Sequence, residues 1–417
     1  MPQTFENPSK DTGNLVLVSE HRFVRDPGGA IWTPTQVDYA FWRAYVQSCR
    51  KVTVAARVSD VGSVSAGYRR ADGKGVTFEA LPAYIGPVGF VASLPRIIYG
   101  MSRSARGARL VLLRGPGVLS AAMWMVARLR RTPFAVEVLG DNEAVFRDGL
   151  VGGRAALLYG SILGHLQRRI CWEAVAVSYV TGATLQRKYP NRAGREFAVS
   201  DVVLGADGFA ANPRTYREVE TLRLVLVGSL EQPYKGVDIA LRAIQRATID
   251  RQIELVVVGD GRLKAGYQEL AAALGIESQV HFVGSVPAGD GVRAHLRAAD
   301  LFIMPSRTEG LPRALIEAMA MALPAVAARV GGVPELLDET QTFTREGVAE
   351  LADILTAITP KEMSLMSEAN LDRARAFSLD EISGRHAAFI LATLGFVRKA
   401  SRREDRGAHR DKARRVA

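Results

Sequence analysis

The stretch LFIMPSRTEGLPRALIEAMAMALPAVAAR, Leu301–Arg329, contains the pattern that decides the fold. It begins with a short apolar run, Leu301–Pro305, that is typical of a buried strand. A loop with glycine and proline follows, then a helical pattern over 312–322, then a second apolar run. Two glutamates bracket the helix start, Glu309 in the loop and Glu317 in the helix. Strand, loop, helix and strand in this order predict one unit of a parallel α/β sheet.

The same alternation continues on both sides of this unit. We predict strands at 14–19, 51–58, 110–115, 134–140, 174–179, 222–228, 253–259, 280–286, 300–305 and 325–329, and helices at 34–48, 118–130, 152–172, 237–247, 264–275, 289–298, 312–322 and 378–396. The regular pattern weakens around 191–213, and 417 residues are too many for one ordinary core. We therefore predict an α/β protein with two Rossmann-like, doubly wound domains that face each other across a cleft.

The predicted boundaries divide the chain into four parts. The first domain is 1–205 and the second is 206–377. A C-terminal helix at 378–397 is expected to pack back on the first domain. The basic tail, 398–417, has no apolar periodicity, and we predict that it is disordered.

Charge is distributed unevenly along the chain. Residues 1–200 contain 26 basic and 14 acidic residues, whereas 201–397 contain 19 basic and 26 acidic residues, within a net charge of +11. The first half is therefore expected to meet an anionic partner, either nucleic acid, anionic lipid or a phosphorylated acceptor. The alternative is a solubilising surface without a partner.

Cysteine content and the N-terminus indicate the compartment. Cys49 and Cys171 are too few for a disulfide framework and lack metal-ligand spacing, so we expect two reduced thiols. The polar segment 1–14 has no signal-peptide core, and no apolar run is long enough to span a bilayer. We expect the protein on the cytoplasmic side of the membrane.

The loop before the predicted helix 312–322 is suited to an anionic ligand. Free N–H groups at a helix start favour anions, so the amides near Gly310 and Leu311 could contact a phosphate, with Pro312 in the first turn. Glu317 lies about one and a half turns further on and could accept hydrogen bonds from a vicinal diol such as a ribose. Glu309 would lie beside the group that the phosphate carries.

Three more strand-to-helix loops in the second half have this character. GSLEQPYKG (228–236) places Lys235 near a helix start, where it could pair with phosphate. VVGDGR (257–262) is only a weak dinucleotide fingerprint, and VGGVPE (330–335) is again rich in glycine. For each loop the alternative is an ordinary turn with surface charges. Four such loops in one domain favour a common site.

Together these motifs resemble the nucleotide-sugar-binding domain of the retaining GT-B glycosyltransferases of family 4. The matching stretches are VGSL…YKG, VVGDG, VHFVG, MPSRTEGLPRALIEAMA and GGVPEL, and they cover 222–340 densely. The glutamate pair corresponds to the E-x7-E element of that family. The resemblance implies that Lys235 contacts the donor diphosphate, that Glu317 holds the ribose and that Glu309 lies beside the transferred sugar.

The resemblance also implies a set of site residues. Glu309 and Lys235 would be catalytic. The donor-binding residues would be Gly228, Ser229, Lys235, Gly259, Gly261, Val283, Ser306, Glu309, Gly310, Leu311, Pro312 and Glu317. Ser229 departs from the family, which mostly has arginine there, and the lost contact is worth about 1.5–3 kcal/mol. Tyr234 and Arg313 are candidates to compensate for it.

In the first half, the family pattern points to an acceptor or phosphate loop. Gly28 and Gly29 correspond to the glycine-rich loop after the first strand, with a plain turn as the alternative. Arg114, in RGPG, either faces the cleft or caps the sheet. Asp141 stands where many relatives have a histidine, and we do not expect it to act as a base.

Two segments of the first half are both apolar and basic, 87–109 and 154–172. Such segments can lie on an anionic membrane surface with aromatic residues at the interface. The alternative is that they are domain helices with basic exposed faces.

We therefore expect a retaining glycosyltransferase that moves a hexose from a UDP- or GDP-linked sugar to a lipid-linked or growing glycan acceptor. Exopolysaccharide, capsule or lipopolysaccharide synthesis is the expected pathway, on the inner face of the cell membrane. No cofactor or metal is expected, because Asp-x-Asp is absent from the sequence. One alternative is a GT-B sugar-nucleotide epimerase. Another is a basic nucleic-acid-binding protein, although no such module is recognisable and we expect no nucleic-acid partner.

Overall fold

The computed structural model describes residues 13–416 apart from 36, 116, 142, 144–153 and 248–250. Its strands are β1 Asn14–Arg25, β2 Ile31–Thr33, β3 Lys51–Asp60, β4 Arg69–Arg70, β5 Val76–Pro82, β6 Leu110–Arg114, β7 Phe134–Val138, β8 Val177–Tyr179, β9 Glu196–Ala198, β10 Thr221–Val227, β11 Gln252–Val258, β12 Val280–Gly284, β13 Leu301–Met304, β14 Ala325–Ala328 and β15 Thr342–Phe343. Its α-helices are α1 Tyr39–Val46, α2 Gly86–Ser104, α3 Val118–Arg130, α4 Arg154–Glu173, α5 Thr184–Lys188, α6 Val237–Arg246, α7 Lys264–Ala273, α8 Asp290–Ala298, α9 Arg313–Ala320, α10 Val348–Ala357, α11 Pro360–Ala374 and α12 Leu379–Val416.

Two separate sheets organise these elements. In the first domain the parallel strands run in the order β5-β3-β1-β6-β7-β8-β9, and the short strands β2 and β4 add antiparallel pairs at the far end of β1. In the second domain six parallel strands run in the order β12-β11-β10-β13-β14-β15. In both sheets the strand order reverses beside the first strand, which is the doubly wound arrangement.

Hydrophobic patterning explains why these strands lie in sheets that are covered by helices on both faces. The strand β6 is buried at every position, and so are β13 and β14. Parallel strands covered by helices on both faces are apolar throughout rather than alternating, because neither face meets water. Separate buried clusters therefore lie above and below each sheet.

The structure confirms the predicted βα alternation in both halves and adds elements that the pattern did not reveal. The strand β5 and the helix α2 were not predicted as such, and the helix expected at 34–48 is shorter, Tyr39–Val46. The predicted residues 152 and 153 lie outside the described residues. The tail also differs from its prediction, because α12 continues through it to Val416. A nucleated helix extends easily through alanine, arginine and lysine, which are good helix formers.

The polypeptide crosses between the domains twice, and the two crossings are hydrogen-bonded to each other. Leu204 N donates to Phe377 O at 2.9 Å, and Leu379 N donates to Leu204 O at 3.0 Å. After the second crossing, α12 places Phe389 and Ile390 in the core of the first domain. The described chain therefore starts in the first domain and returns to it after the second. No helix in the described residues is both long and apolar enough to cross a membrane.

Candidate active site

Lys235 and Glu309 meet in one crevice of the second domain. Lys235 Nζ lies 2.7 Å from Glu309 Oε1, and the two side chains are only 14% and 11% exposed. Lys235 ends a 3-10 turn, Pro233–Lys235, that follows β10, while Glu309 lies in the loop between β13 and α9. Neighbouring strands therefore deliver the predicted cation and the predicted acid to the same edge of the sheet.

Close packing of backbone makes this meeting possible. Gly236 has a φ of +66°, and a Cβ there would lie 2.0 Å from Pro305 O, so only glycine fits between the two loops. The aliphatic part of Lys235 lies over Gly228, where a Cβ would be 2.7 Å from Lys235 Cε. The lysine is thus held along the loop after β10 and points toward Glu309.

Arg307 fixes the turn that carries Lys235. Its guanidinium donates to Pro233 O at 2.7 Å and forms two hydrogen bonds with Asp238, at 2.9 and 2.8 Å. It also pairs with Glu346 at 2.6 Å. Sequence reasoning missed this residue, although it lies inside the quoted SRTEG stretch. A planar guanidinium that binds a backbone carbonyl and two acids can orient a loop firmly.

The start of α9 offers unpaired polar groups. Pro312 precedes the helix, and no side chain caps it there. Ser306 Oγ is fully buried and has no hydrogen-bond partner among the described residues. Burial raises the pKa of the Glu317 carboxyl, while Arg313 and Arg293 oppose the rise. The helix N–H groups lack a cap, the Ser306 hydroxyl lacks a partner, and burial disfavours ionisation of the Glu317 carboxyl. Groups of this kind are suited to a polar anionic ligand.

The loop after Glu309 faces the first domain. A Cβ on Gly310 would lie 3.0 Å from Leu139 O, at the end of β7 in the first domain. Leu311 packs against buried clusters of both domains. Gly332 N donates to Gly310 O at 2.7 Å, which ties the GGVPEL stretch to the same loop. The candidate site therefore lies at the meeting of the two domains.

The remaining predicted donor residues have other recorded contacts. Gly259 and Gly261 pack against the backbone of Gly228 and Glu231, so they join neighbouring loops. Ser229 is exposed, and its Oγ accepts a hydrogen bond from Glu231 N at 3.3 Å. Val283, in β12, is 41% exposed.

The two candidates to replace the family arginine at Ser229 have partners of their own. The Tyr234 ring lies 5.1 Å from Lys235 Nζ. Arg313 donates to Asp201 O at 3.3 Å. A further cation, which sequence reasoning missed, borders this loop: Arg262 Nε donates to Glu231 O at 2.8 Å.

Arg114 does not belong to an acceptor loop, which corrects the prediction. It is 5% exposed, and its Nη1 donates to Glu137 Oε2 at 2.6 Å and to Tyr45 Oη at 3.3 Å. His386, from α12, lies 3.8 Å from the same carboxylate. A buried guanidinium needs a carboxylate beside it, and this pairing removes Arg114 from the cleft.

Gly28 and Gly29 also differ from their prediction. They form the turn of the β1–β2 hairpin, in which Gly29 N donates to Asp26 O at 2.9 Å. The strand β1 continues to Arg25, well past its pairing with β6, so these glycines do not follow the buried part of the strand directly. The plain turn left open above is the structure found.

Asp141 lies near the cleft and has cationic and polar neighbours. Its carboxylate accepts hydrogen bonds from Lys188 Nζ at 2.6 Å and from Tyr189 Oη at 2.5 Å. Asp141 follows Gly140, whose Cα would lie 3.6 Å from a Cβ on Gly310. Ion pairing of this kind suits a structural acid.

Sequence reasoning missed one residue that joins the domains directly. Glu335, in GGVPEL, accepts hydrogen bonds from the N–H groups of Gly182, Ala183 and Thr184 in the first domain. The motif marked the residue, but no local pattern could name a partner about 150 positions away. In the described part of the chain, no three His, Cys, Asp or Glu side chains converge as a metal-binding group.

Comparison with known proteins gives a consistent result. Residues 221–359 match the family described as "Glycosyl transferases group 1". The chain is 27% identical to Protein CapJ of Staphylococcus aureus over 76% of this chain and 79% of that protein. It is 30% identical to a GDP-mannose-dependent alpha-(1-6)-phosphatidylinositol monomannoside mannosyltransferase of Mycolicibacterium smegmatis, over 56% of this chain and 65% of that protein.

Solved structures share the fold at lower identity. The lipopolysaccharide outer core galactosyltransferase WaaB in its apo form aligns with a TM-score of 0.64 and 13% identity, over 91% of this chain and 99% of that one. Anabaena Alr3699/HepE in complex with UDP and glucose aligns with a TM-score of 0.63 and 16% identity, over 91% and 100%. Both likenesses concern the arrangement of the two Rossmann-like domains.

Proposed function

Because the protein is a glycosyltransferase of the GT-B fold with a group 1 domain at residues 221–359, we propose that it is a retaining enzyme of family 4. It moves a hexose from a nucleoside-diphosphate sugar to the hydroxyl of a lipid-linked or growing glycan acceptor. The observation that carries this proposal is the 2.7 Å contact of Lys235 with Glu309, opposite the Leu139 loop of the first domain.

The chemistry follows from the charges at this contact. The bond between the sugar C1 and the diphosphate oxygen breaks, and the leaving diphosphate keeps the electron pair. Lys235 and the uncapped start of α9 stabilise the negative charge that develops on it. Since a fixed cation and fixed dipoles need no reorganisation, they favour the transition state over the ground state.

Retention requires attack from the face that the diphosphate leaves. The acceptor hydroxyl forms the new bond to C1 on that face, and its proton passes to the departing phosphate oxygen. Glu309 accepts hydrogen bonds from the sugar hydroxyls and thereby holds the ring beside Lys235. The products are a glycoside and a nucleoside diphosphate. No metal ion or cofactor takes part in this scheme.

Glu317 is proposed to accept hydrogen bonds from the ribose hydroxyls of the donor. The donor is UDP- or GDP-linked: Alr3699/HepE was solved with UDP and glucose, and the mycobacterial relative is named as GDP-mannose-dependent. Ser306 Oγ, buried without a partner in the described structure, would gain a hydrogen bond from the bound donor.

The pathway is proposed from the relatives. One relative is an amylovoran biosynthesis glycosyltransferase of Erwinia amylovora, and WaaB acts on the lipopolysaccharide outer core. We place this protein in exopolysaccharide, capsule or lipopolysaccharide assembly, at the inner face of the cell membrane. There a lipid-linked acceptor and a soluble donor can reach the cleft together.

The test is a transfer assay on paired variants, with nucleotide-sugar binding measured by the shift in melting temperature. Glu309→Gln is expected to lower transfer at least about a hundredfold, as for other electrostatic groups at the reacting centre. Lys235→Ala should lower transfer similarly and also weaken donor binding. The exposed residues Glu368 and Lys361 supply the matched controls Glu368→Gln and Lys361→Ala.

Two results would overturn the proposal. One is full transfer activity in Glu309→Gln with an unchanged melting temperature. The other is conversion of the nucleotide sugar into an isomer without any acceptor, seen by mass spectrometry. That second result would identify a sugar-nucleotide epimerase on the same fold.

A further inference from the structure

Three helices lie side by side on one face of the first sheet. The helix α3 packs between α2 and α4. Arg130 Nε donates to Ser102 Oγ at 2.9 Å, which joins α3 to α2, and Trp124 Nε1 donates to Glu173 Oε2 at 3.1 Å, which joins α3 to α4. Their inner sides share one buried cluster with the sheet. The outer sides of α2, α3 and α4, with the adjoining Ile85, are here called the three-helix face.

The three-helix face is unusually apolar. Sixteen large hydrophobic side chains are exposed in the described part of the chain, and most of them belong to this one face. They are Ile85, Val88, Val91, Tyr99, Met125, Leu129, Leu157, Leu158, Tyr159, Ile162 and Trp172. Val88 and Leu129 are 82% and 87% exposed. Apolar surface concentrated on one face of a protein marks an interaction site rather than ordinary scatter.

The same face carries positive charge. The three helices contain seven arginines and a single acid, Glu173. The Glu173 carboxylate forms ion pairs with Arg128 at 3.4 Å and with Arg169 at 3.1 Å. Arg96, on α2, and Arg106, two residues after the end of α2, are exposed, and no ion pair is recorded for either within the described residues. A surface that combines apolar side chains with unpaired arginines is complementary to anionic lipid headgroups above an acyl layer.

Several of the exposed apolar residues lie near the starts of α2 and α4. They are Val88 and Val91 in α2, and Leu157 and Leu158 in α4. In a parallel βαβ sheet each helix begins at the carboxyl end of its strand, which is the cleft side, so these residues border the cleft. Leu129, in the last turn of α3, shows that the apolar surface also extends away from the cleft.

Two tyrosines show that the starts of these helices converge. Tyr84, just before α2, and Tyr159, early in α4, are close enough to interact electrostatically with each other and with Glu20. The carboxylate of Glu20 also accepts a hydrogen bond from Leu119 N, at the start of α3. All three helix starts are thus grouped around Glu20 on the cleft side of the domain.

We propose that the three-helix face is the docking surface for an anionic lipid bilayer. Its exposed apolar side chains enter the interface, those at the starts of α2 and α4 beside the cleft, and its arginines lie on the headgroup phosphates. This geometry presents the cleft to the membrane surface, where the hydroxyl of a lipid-linked acceptor would be found. The proposal deepens the proposed function by assigning it a membrane-facing side.

Vesicle flotation with the full chain tests this proposal. The vesicles are phosphatidylcholine alone or phosphatidylcholine with phosphatidylglycerol. Binding is expected only when phosphatidylglycerol is present and should fall as salt rises. Val91→Glu with Leu158→Glu should lower the partition coefficient at least about tenfold, because both charges would have to enter the apolar layer. Arg96→Gln and Arg106→Gln should each lower it about fivefold.

Matched controls lie on the second domain. Leu365 is 58% exposed and Arg242 is exposed, so Leu365→Glu and Arg242→Gln change the same chemistry elsewhere and should leave binding unchanged. The arginine variants alter exposed side chains only, so they remain informative if the glutamate variants fold poorly. Flotation needs neither donor nor transfer, and the proposed function and the docking surface can therefore fail separately.

Three outcomes would overturn the docking surface. The first is absence of flotation with phosphatidylglycerol vesicles. The second is equal flotation of the three-helix-face variants and the controls. The third is a dimer in light scattering that Val91→Glu with Leu158→Glu converts to monomer while vesicles bind neither form, which would show that a second copy covers the face.

Discussion

Glu317 is a carboxyl group that the fold makes costly to ionise. It lies on α9, whose neighbouring side chains Leu315 and Ile316 are fully buried. Burial raises its pKa, and the cations Arg313 and Arg293 only partly compensate. A carboxyl group with a raised pKa beside an uncapped helix start is typical of a site that binds a polar ligand. The buried carboxylate of Glu317 therefore lowers the stability of the folded protein, whereas its proposed role in donor binding requires that carboxylate.

The pH dependence of unfolding should reveal this conflict. Because the folded-state pKa of Glu317 is raised above its ordinary value of 4.5, the folded protein binds more protons than the unfolded chain in that window. This carboxyl therefore lowers the free energy of unfolding as pH rises above about 4.5. Glu317→Gln should melt at a higher temperature than the parent at pH 7 and at a similar temperature at pH 4, while its donor affinity falls.

Glu368→Gln is the control for this measurement, since Glu368 is exposed on α11. Its melting temperature should follow that of the parent at every pH. A Glu317→Gln protein with a lower melting temperature at pH 7 would show that the carboxylate is stabilised in the folded state, and the interpretation of its burial would be wrong.

At the scale of elements, the short helix α5 is capped by the other domain. Glu335 accepts hydrogen bonds from the N–H of Ala183 at 3.1 Å and of Thr184 at 2.9 Å, and from the Thr184 hydroxyl at 2.7 Å. Burial opposes its ionisation, but these donors and Gly182 N outweigh that effect and lower the pKa of Glu335. An acid at a helix start satisfies free N–H groups and complements the helix dipole. This contact therefore helps to fix the position of the two domains on either side of the cleft.

Glu335→Gln should weaken the contact that fixes the two domains relative to each other. The loss in the free energy of unfolding is expected to be about 1 kcal/mol at pH 7, because solvent reaches the partly exposed carboxylate and screens its charge. Since its folded pKa is lowered, the contribution is present above the ordinary pKa of 4.5 and disappears as pH falls through the folded value. Turnover should fall while donor affinity stays unchanged, because the residue positions the domains without touching the donor.

Steady-state kinetics and denaturant unfolding check this prediction, with Glu339→Gln as the control. Glu339 is exposed in the next turn of the chain and has no contact with α5 recorded in the described structure. Donor affinity that falls as much as turnover would instead place Glu335 in the donor site.

At the scale of the whole molecule, α12 packs against the sheet of the first domain although it follows the second domain in the sequence. Phe389 is fully buried and packs against Phe197 of β9 with ring centroids 5.3 Å apart. It shares a cluster with Leu15 and Leu17 of the central strand β1. Without α12, the first domain would therefore lack part of its hydrophobic core. Such long-range packing couples the two crossings of the chain into one folding unit.

Phe389→Ala should destabilise the first domain by about 3–5 kcal/mol, as expected for a large side chain removed from a core. Leu391→Ala, on the same helix but 48% exposed, should change stability by no more than about 0.5 kcal/mol. Denaturant unfolding measures both. Equal, small effects would mean that α12 adds little to the first domain.

Much of the fold could be predicted because its signals are local. Apolar runs such as Leu301–Pro305 mark buried parallel strands, and glycines mark the loops between them. The strand β5 was missed because Thr77 and Glu79 interrupt its apolar residues, so the sequence shows no continuous apolar run there. In the site, Lys235 and Glu309 could be assigned to one site beforehand because both lie in strand-to-helix loops of the same domain. Arg114 was misplaced because its partner Glu137 belongs to a different strand and Tyr45 to a distant helix.

The sequence by itself determined the two doubly wound domains and the glutamate and lysine of the second, because periodicity and loop chemistry act over a few residues. Only the tertiary structure decided that Glu335 caps a helix of the other domain and that Arg114 is buried with Glu137. It also decided that the apolar residues of three helices form one surface beside the cleft. Those facts depend on which distant segments meet in space, and that meeting is set by packing and charge pairing across the whole chain.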